Sequence, residues 1–269
     1  MKLSGFRKHM RIWKRLIKLE LMTDMQYRLN FLFSFLGTSA WLTSELLFIN
    51  FLFDKYQTIA GWERQFLILL VGFNQLWVGG LYFLIIWRSL THIADQIRRG
   101  VADRIFTLPV NTRFFVSVFK IDWTSLSIML NGIFLIIYVL WEYDFEVTFL
   151  NLLFSLVLLL LSGWIIYCLH FISMCTSFWI KNSASIMYFV NVLDRFTRYP
   201  YEIFTKGVWS FIFTFIIPIV IIANVPARAF LGILDFKYVL YSITVAVFLT
   251  IISQVLWILG IKRYESSGS

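Results

Sequence analysis

Ionisable side chains are scarce in this sequence, and those that interrupt its apolar runs are the first candidates for chemistry. Glu45 stands alone about two thirds of the way through the run Leu29–Phe53, where an ionised carboxylate is expensive unless it finds a partner or water. Two readings stay open for it: a place on a transport path or at a seam between two copies, and a position close enough to an interface to meet water. Asp194 and Arg195 are neighbours in sequence, so on a helix they do not face each other and each needs a different partner. Both are candidates for lining an outer vestibule. Asn74, Gln75, Asp122, Asn131 and Gln254 are placed to bond across helices as structural glue. His9, His92 and His170 are too dispersed for a metal cluster or a catalytic dyad, and His170 reads as a hydrogen-bonded packing residue. Cys168 and Cys175 lie seven apart, about 10 Å on a helix and too far for a disulfide. The sequence holds no Gly-x-x-x-x-Gly-Lys-Ser/Thr loop to cradle phosphates, no His-Glu-x-x-His and no recognisable Ser/His/Asp arrangement. The expectation is a chain with no catalytic residue, no metal and no cofactor of its own.

The elements that must position these residues are apolar rods. Six runs, Leu29–Phe53, Phe66–Trp87, Trp123–Trp141, Val147–Ile180, Gly207–Ala227 and Tyr238–Ile261, are each long enough at about 1.5 Å per residue to reach across a hydrocarbon core of about 30 Å. The composition agrees: 59% hydrophobic and only 14% charged, against about 25% charged in soluble domains. The fold class expected is all-α, a polytopic membrane protein whose single domain occupies residues 1–269. The fourth run is too long for a straight crossing, about 50 Å, so it tilts or projects. Trp41, Trp62, Trp77, Trp87, Trp123, Trp141, Trp209 and Trp257 lie at or near run ends or faces and read mainly as interfacial anchors.

Charge sets the orientation. Residues 1–28 carry Lys2, Arg7, Lys8, Arg11, Lys14, Arg15, Lys18 and Arg28 against Glu20 and Asp24, and the second gap holds Arg88, Arg98, Arg99, Arg104, Arg113 and Lys120. The first gap is balanced, the third (Glu142, Asp144, Glu146) is acidic, and Lys262 and Arg263 follow the last run. The positive-inside rule then puts both termini and the second gap in the cytoplasm, with an even number of crossings. The net charge of +9 is explained by anionic headgroups beside the spans, not by nucleic acid. Residues 5–24 place Phe6, Met10, Trp13, Leu16, Ile17 and Leu21 on one stripe opposite Arg and Lys, the pattern of a helix lying along the inner surface. No cleavable signal peptide is visible in residues 1–28.

Two gaps carry more information. From Arg88 to Val116, Leu90, Ile93, Ile97, Val101, Ile105 and Leu108 repeat at helical spacing with Asp95, Arg98, Arg99, Asp103 and Arg104 opposite, and Pro109 is expected to stop the helix. Between Ser183 and Gly207 two topologies stay open. In one, Gly207–Ala227 is the fifth span and residues 183–206 lie on the cytoplasmic surface; charge favours it. In the other, Ser183–Thr197 is a short fifth crossing and Trp209–Gly232 re-enters from outside; Pro218 and Pro226, which remove backbone donors, favour it.

The segments Ile97-Arg98-Arg99-Gly100-Val101-Ala102-Asp103-Arg104-Ile105-Phe106-Thr107-Leu108-Pro109-Val110 and Arg198-Tyr199-Pro200-Tyr201-Glu202-Ile203-Phe204, followed by Ile217-Pro218 and Val225-Pro226-Ala227-Arg228-Ala229-Phe230-Leu231-Gly232, make the chain similar to the type-2 ABC exporter permeases, in their six-span branch. The resemblance covers essentially the whole chain in span order. It implies an N-terminal interfacial helix (1–28), six transmembrane helices, a cytoplasmic coupling helix (89–109, with Ser89–Leu108 received by an ATPase) and a re-entrant extracellular region (199–232) before the last span. The residues it assigns to ATPase coupling are Ile97, Arg98, Arg99, Gly100, Asp103, Arg104, Leu108 and Pro109. Glu45, Asp194, Arg195, Pro200, Pro218 and Pro226 become candidates for the transport path or outer gate. The partners implied are two cytosolic ABC ATPase subunits, which bind the ATP and Mg, a second permease copy or a homologous permease, and the lipid bilayer. The location implied is the bacterial inner membrane, the activity export of a hydrophobic or amphiphilic cargo. Rival readings are a gradient-driven secondary carrier, which needs ionisable residues inside several spans, a membrane-embedded transferase or protease, which needs clustered nucleophile, base or metal ligands, and a non-catalytic assembly subunit.

Overall fold

A computed structural model describes residues 2–26, 28–143, 145, 147–204, 207–216, 218 and 221–264. Asp144 and Glu146 of the acidic gap, Ile217, and Glu265 through Ser269 lie outside the described residues. The chain is built from helices: α1 (Lys2–Met25), α2 (Arg28–Phe53), α3 (Arg64–Arg98), α4 (Asp103–Phe106), α5 (Thr112–Val118), α6 (Trp123–Glu142), α7 (Phe149–Phe178), α8 (Ser183–Asp194), α9 (Gly207–Phe211), α10 (Ile221–Phe230) and α11 (Phe236–Arg263). Five of these, α2, α3, α6, α7 and α11, are long and apolar enough to cross a membrane. Together with the composition, they make this a multi-pass all-α membrane protein.

Local signals start and stop the rods. Asn111 caps α5 by accepting from Phe114 N at 3.0 Å, Thr148 caps α7 by accepting from Asn151 N at 3.3 Å, and Asp235 caps α11 by accepting from Lys237 N at 3.0 Å. Lys262 and Arg263 close the last turn of α11, where a helix end favours positive charge. α3 is the central rod: 67% of its apolar window is buried, against 11% for α2. Its middle, Gln75–Trp87, winds as a π-helix, an uncommon geometry that broadens the rod where it passes between two cavities. Glycine lets α6 press onto it. A methyl on Gly132 would run into the backbone of Leu76, and one on Gly80 into the backbone of Met129.

The basic end of the bundle gathers Arg88, Lys120, Lys181 and Arg263 at the feet of the rods. Here α1 is tied down by its two acidic residues, Glu20 to Lys120 at 3.1 Å and Asp24 to Arg88 at 3.3 Å. The half-buried Trp13, Leu16, Ile17 and Leu21 alternate with exposed Arg11, Lys14, Arg15 and Lys18, which is the amphipathic layout the sequence indicates.

Two expectations change. The second gap is not one helix from Ser89 to Leu108. α3 runs unbroken to Arg98, and Gly100 at φ +67° ends it: Gly100 N donates to Ile97 O at 3.0 Å and Val101 N to Gln96 O at 3.0 Å, a Schellman closure that favours glycine at the left-handed position. The charged pair and glycine are thus a helix stop, and Pro109 lies beyond the next short helix. The run Gly207–Ala227 is likewise not one rod. It breaks into α9, a π-wound stretch Ile212–Ile216, a buried Pro218 and α10. Ser183–Thr197 becomes α8 plus a 3-10 turn, Arg195–Arg198. At helical rise that reaches about 26 Å, against about 30 Å for a hydrocarbon core.

Candidate functional site

At the basic end, the elbow between α3 and α6 presents its charge outward while its apolar residues lock to the bundle. Arg98 and Arg99 both fold back on Asp95, at 2.9 and 2.8 Å. Exposed pairs of this kind contribute about 0.2–1 kcal/mol each. Val101, Asp103, Arg104, Thr107 and Pro109 are exposed, whereas Ala102 and Ile105 are buried. Phe106 packs on Tyr264 (4.9 Å between rings), Trp257 (6.2 Å) and Phe178 (6.3 Å). Tyr264 accepts a hydrogen bond from Ala102 N at 2.8 Å and donates to Asp103 at 3.4 Å. Burial pushes its phenol above the ordinary value, so it keeps the proton it donates. The elbow is thereby fastened to the ends of α7 and α11. Beside it, Arg98, Lys181, Arg263 and Tyr264 border a cleft of about 320 Å³. Arg113, on α5, ties the same end together by bonding Ser253 Oγ at 2.7 Å, Gln254 and Tyr167.

Deep in the bundle the ionisable residues pair one to one. Glu45 on α2 meets Arg198 Nη1, 3.1 Å from each carboxylate oxygen. His170 on α7 is fully buried, and its Nε2 lies 3.0 Å from Asp194 Oδ2 while its Nδ1 lies 3.1 Å from Ile166 O. Both ring nitrogens face oxygens. Tyr82 stacks on the imidazole at 4.9 Å and Trp87 meets it edge-on at 5.0 Å, closing it from water. Thr197 accepts from Asn74 Nδ2 and donates to Asp194 O at 2.5 Å, which pins the turn after α8 to α3.

Asp194, Arg195 and Arg198 also border a cavity of about 430 Å³ between α2, α3 and α8, with Gln75, Trp41 and Phe83 on its other walls. Gln75 is buried yet its carboxamide has no hydrogen-bonding partner among the described residues, and Arg195 has no ion pair among them.

At the end opposite the basic one, the segment after Arg198 is folded onto the rods by a third cluster. Glu202 accepts from Trp62 Nε1 at 2.9 Å and pairs with Arg228. The Arg228 guanidinium lies over Trp62 and Tyr201, 5.1 and 5.0 Å from the ring centres. Asn224 bridges Tyr201 N and Tyr199 O, at 3.1 and 3.0 Å. Pro226 sits inside α10, and Ser155 of α7 donates to its carbonyl at 2.9 Å. Pro200 and Pro218 are buried.

A family model described as ABC-2 family transporter protein matches residues 39–268. The chain belongs to the ABC-2 family. No curated protein and no solved structure matches it. ABC-2 proteins are membrane transport subunits, not enzymes themselves, and generally work with ATPase subunits, so the family expectation read from the two segments holds.

The structure brings some of the sequence candidates of this ABC-2 protein together and separates others. Ile97, Arg98, Arg99, Gly100, Asp103, Arg104, Leu108 and Pro109 share the elbow, but Ile97 is buried beneath it. Asp194 and Arg195 do lack a mutual contact, as their adjacency implies. They lie beside Gly37 and Thr38 of α2, Asp194 buried and Arg195 exposed. Glu45 is half-buried and finds its partner in Arg198, which lies 3.1 Å from both carboxylate oxygens. Asn74 donates to Thr197, Asn131 accepts from Ser39 at 3.3 Å and Gln254 bonds Arg113, the cross-helix bonds expected, whereas the Asp122 side chain bonds only within its own turn, capping α6, and Gln75 makes none among the described residues. His170 packs and hydrogen-bonds as its sequence context indicates, whereas its neighbour Asp194 and the roles of Arg198 and Tyr264 were not read from the sequence. A buried charge signals that a partner exists, yet spacing along the chain cannot say which of several distant residues provides it.

Proposed function

We propose that this ABC-2 protein is the transmembrane permease subunit of an ATP-driven exporter of hydrophobic or amphiphilic cargo, powered by two separate cytosolic ATPases. In this reading the basic end is cytoplasmic, with both termini, and the membrane is the bacterial inner membrane. Two permease copies, or this chain and a sibling, pair around the path; the sparse burial of α2 leaves an apolar face for that purpose. Ser183–Thr197 acts as a short sixth crossing in the count, the fifth in chain order, and residues 199–232 dip in from the outer side. The observation that carries the proposal is the elbow. It offers exposed charge to a partner while Phe106 and Tyr264 bind it to α7 and α11, so a push on the elbow reaches three rods. ATP-driven closure of the ATPases then shifts the permease between inward- and outward-facing packings.

Reversing charge at both Arg98 and Arg104 is expected to abolish stimulation of the partner ATPase while leaving membrane insertion intact. Unchanged transport and ATP turnover in that variant would remove the coupling role. Cysteine labelling at Tyr201 and Arg228 checks the topology: modification from the cytoplasmic side alone overturns the outer re-entrant arrangement. A secondary carrier gains some ground from the pairs Glu45–Arg198 and His170–Asp194, since the sequence pointed to Glu45 alone inside a span. Co-purification separates the two readings, because an exporter subunit brings down an ATPase and a carrier comes alone.

A further inference from the structure

We propose that the cavity between α2, α3 and α8 binds the acidic headgroup of an amphiphile, with Arg195 as its counter-charge and Gln75 as its hydrogen-bonding contact. The inference rests on the permease reading and deepens it by naming the class of cargo. Charge decides the sign of the ligand. Arg198 is matched by Glu45 at 3.1 Å and Asp194 lies 3.0 Å from His170, so among the described residues Arg195 is the charged group of this wall that has no ion pair. A cationic ligand would be repelled by its guanidinium. Polarity decides where the headgroup goes. Gln75 is 7% exposed, lines the cavity and makes no hydrogen bond among the described residues, so its carboxamide is available to a ligand there. It supplies both a donor and an acceptor to a phosphate or carboxylate ester and its hydroxyls.

Size and surroundings select an amphiphile over a small soluble anion. About 430 Å³ falls within the range of ligand pockets, about 300–1,000 Å³. Trp41 and Phe83 flank the polar groups, and Trp41 belongs to the apolar, mostly exposed face of α2. A headgroup seated on Arg195 therefore has a path for its acyl chain along that face.

The test uses the full chain in phosphatidylcholine nanodiscs without nucleotide or ATPase, probed with photoactivatable phosphatidylglycerol. A phosphatidylcholine analogue and a cationic lipid analogue with the same chains serve as the other arms, and mass spectrometry maps the labelled residues. The acidic probe is expected to label the peptides holding Trp41 and Phe83, about tenfold above either analogue. Arg195→Gln should lower that labelling to the level of the analogues. Arg195→Lys should retain it, and Arg104→Gln at the elbow should not change it. Equal labelling by all three lipids, or no effect of Arg195→Gln in a protein that still runs as a folded species, overturns the proposal. So does displacement of the probe by inorganic phosphate, which would make the ligand a soluble anion, or a disulfide between two copies of an Arg195→Cys variant, which would make the occupant a second chain. Because no ATPase is present in this assay, absence of selective labelling by a chain that stimulates its ATPase in a separate reconstitution sinks this inference alone. Retained labelling in a chain that recruits no ATPase sinks the permease reading instead.

Discussion

Asp95 and Asp194 both face basic partners about 3 Å away, and they do opposite work. At the elbow, Asp95 is shared by Arg98 and Arg99, all three in contact with water. The cluster keeps a surplus of positive charge and loses little if it comes apart. In the bundle, Asp194 is 5% exposed and lies 3.0 Å from His170, beneath two aromatic rings. That contact holds α8 against α7. Depth, not residue type, decides whether a charge is offered outward or consumed internally.

The contrast breaks first if the deep pair proves dispensable. Asp194→Ala strands His170 in an apolar surround, and removing one member of a buried pair costs about 3–5 kcal/mol. We expect the largest fall in thermal midpoint of the detergent-solubilised protein among the substitutions considered. A variant as stable as the parent would mean that the buried pair stabilises no more than the exposed one. Tyr264→Phe comes next. It deprives the buried Ala102 N–H of its acceptor, at about 1–3 kcal/mol, and amide exchange should quicken in the elbow while the deep turn after α8 stays protected. Gly100→Ala forces a side chain into a left-handed turn, with a cost of about 1–2 kcal/mol. It should fray the end of α3 by circular dichroism without touching the His170–Asp194 contact. Asp95→Asn is the mildest, below about 1 kcal/mol for each exposed pair it weakens. Its midpoint should scarcely move, whereas binding of an acidic partner should strengthen because two arginines are released.

The rods were legible because their signal is local: a run such as Trp123–Trp141 needs no partner to declare itself. The tie between α1 and the bundle was half legible, since the amphipathic stripe was visible but the roles of Glu20 and Asp24 were not. The elbow was misread for a physical reason. Its apolar spacing continues through Gly100, so periodicity reports one helix where a left-handed residue makes two. The deep pairs were illegible for another: His170 and Asp194 are brought together by the tilt of α8 on α7, a geometry no spacing encodes. The broken segment after Tyr199 was anticipated by its prolines, whereas the satisfaction of Arg228 by Glu202, Trp62 and Tyr201 depends on three separate stretches of chain.

The crossing of α3 and α6 has a mechanical consequence. With Gly132 seated on the main chain of Leu76 and Gly80 on that of Met129, two rods meet bone to bone, without long side chains between them to flow. Neither can roll on the other before main chain strikes main chain. They form one plank, and a load taken at its foot tilts the whole of it.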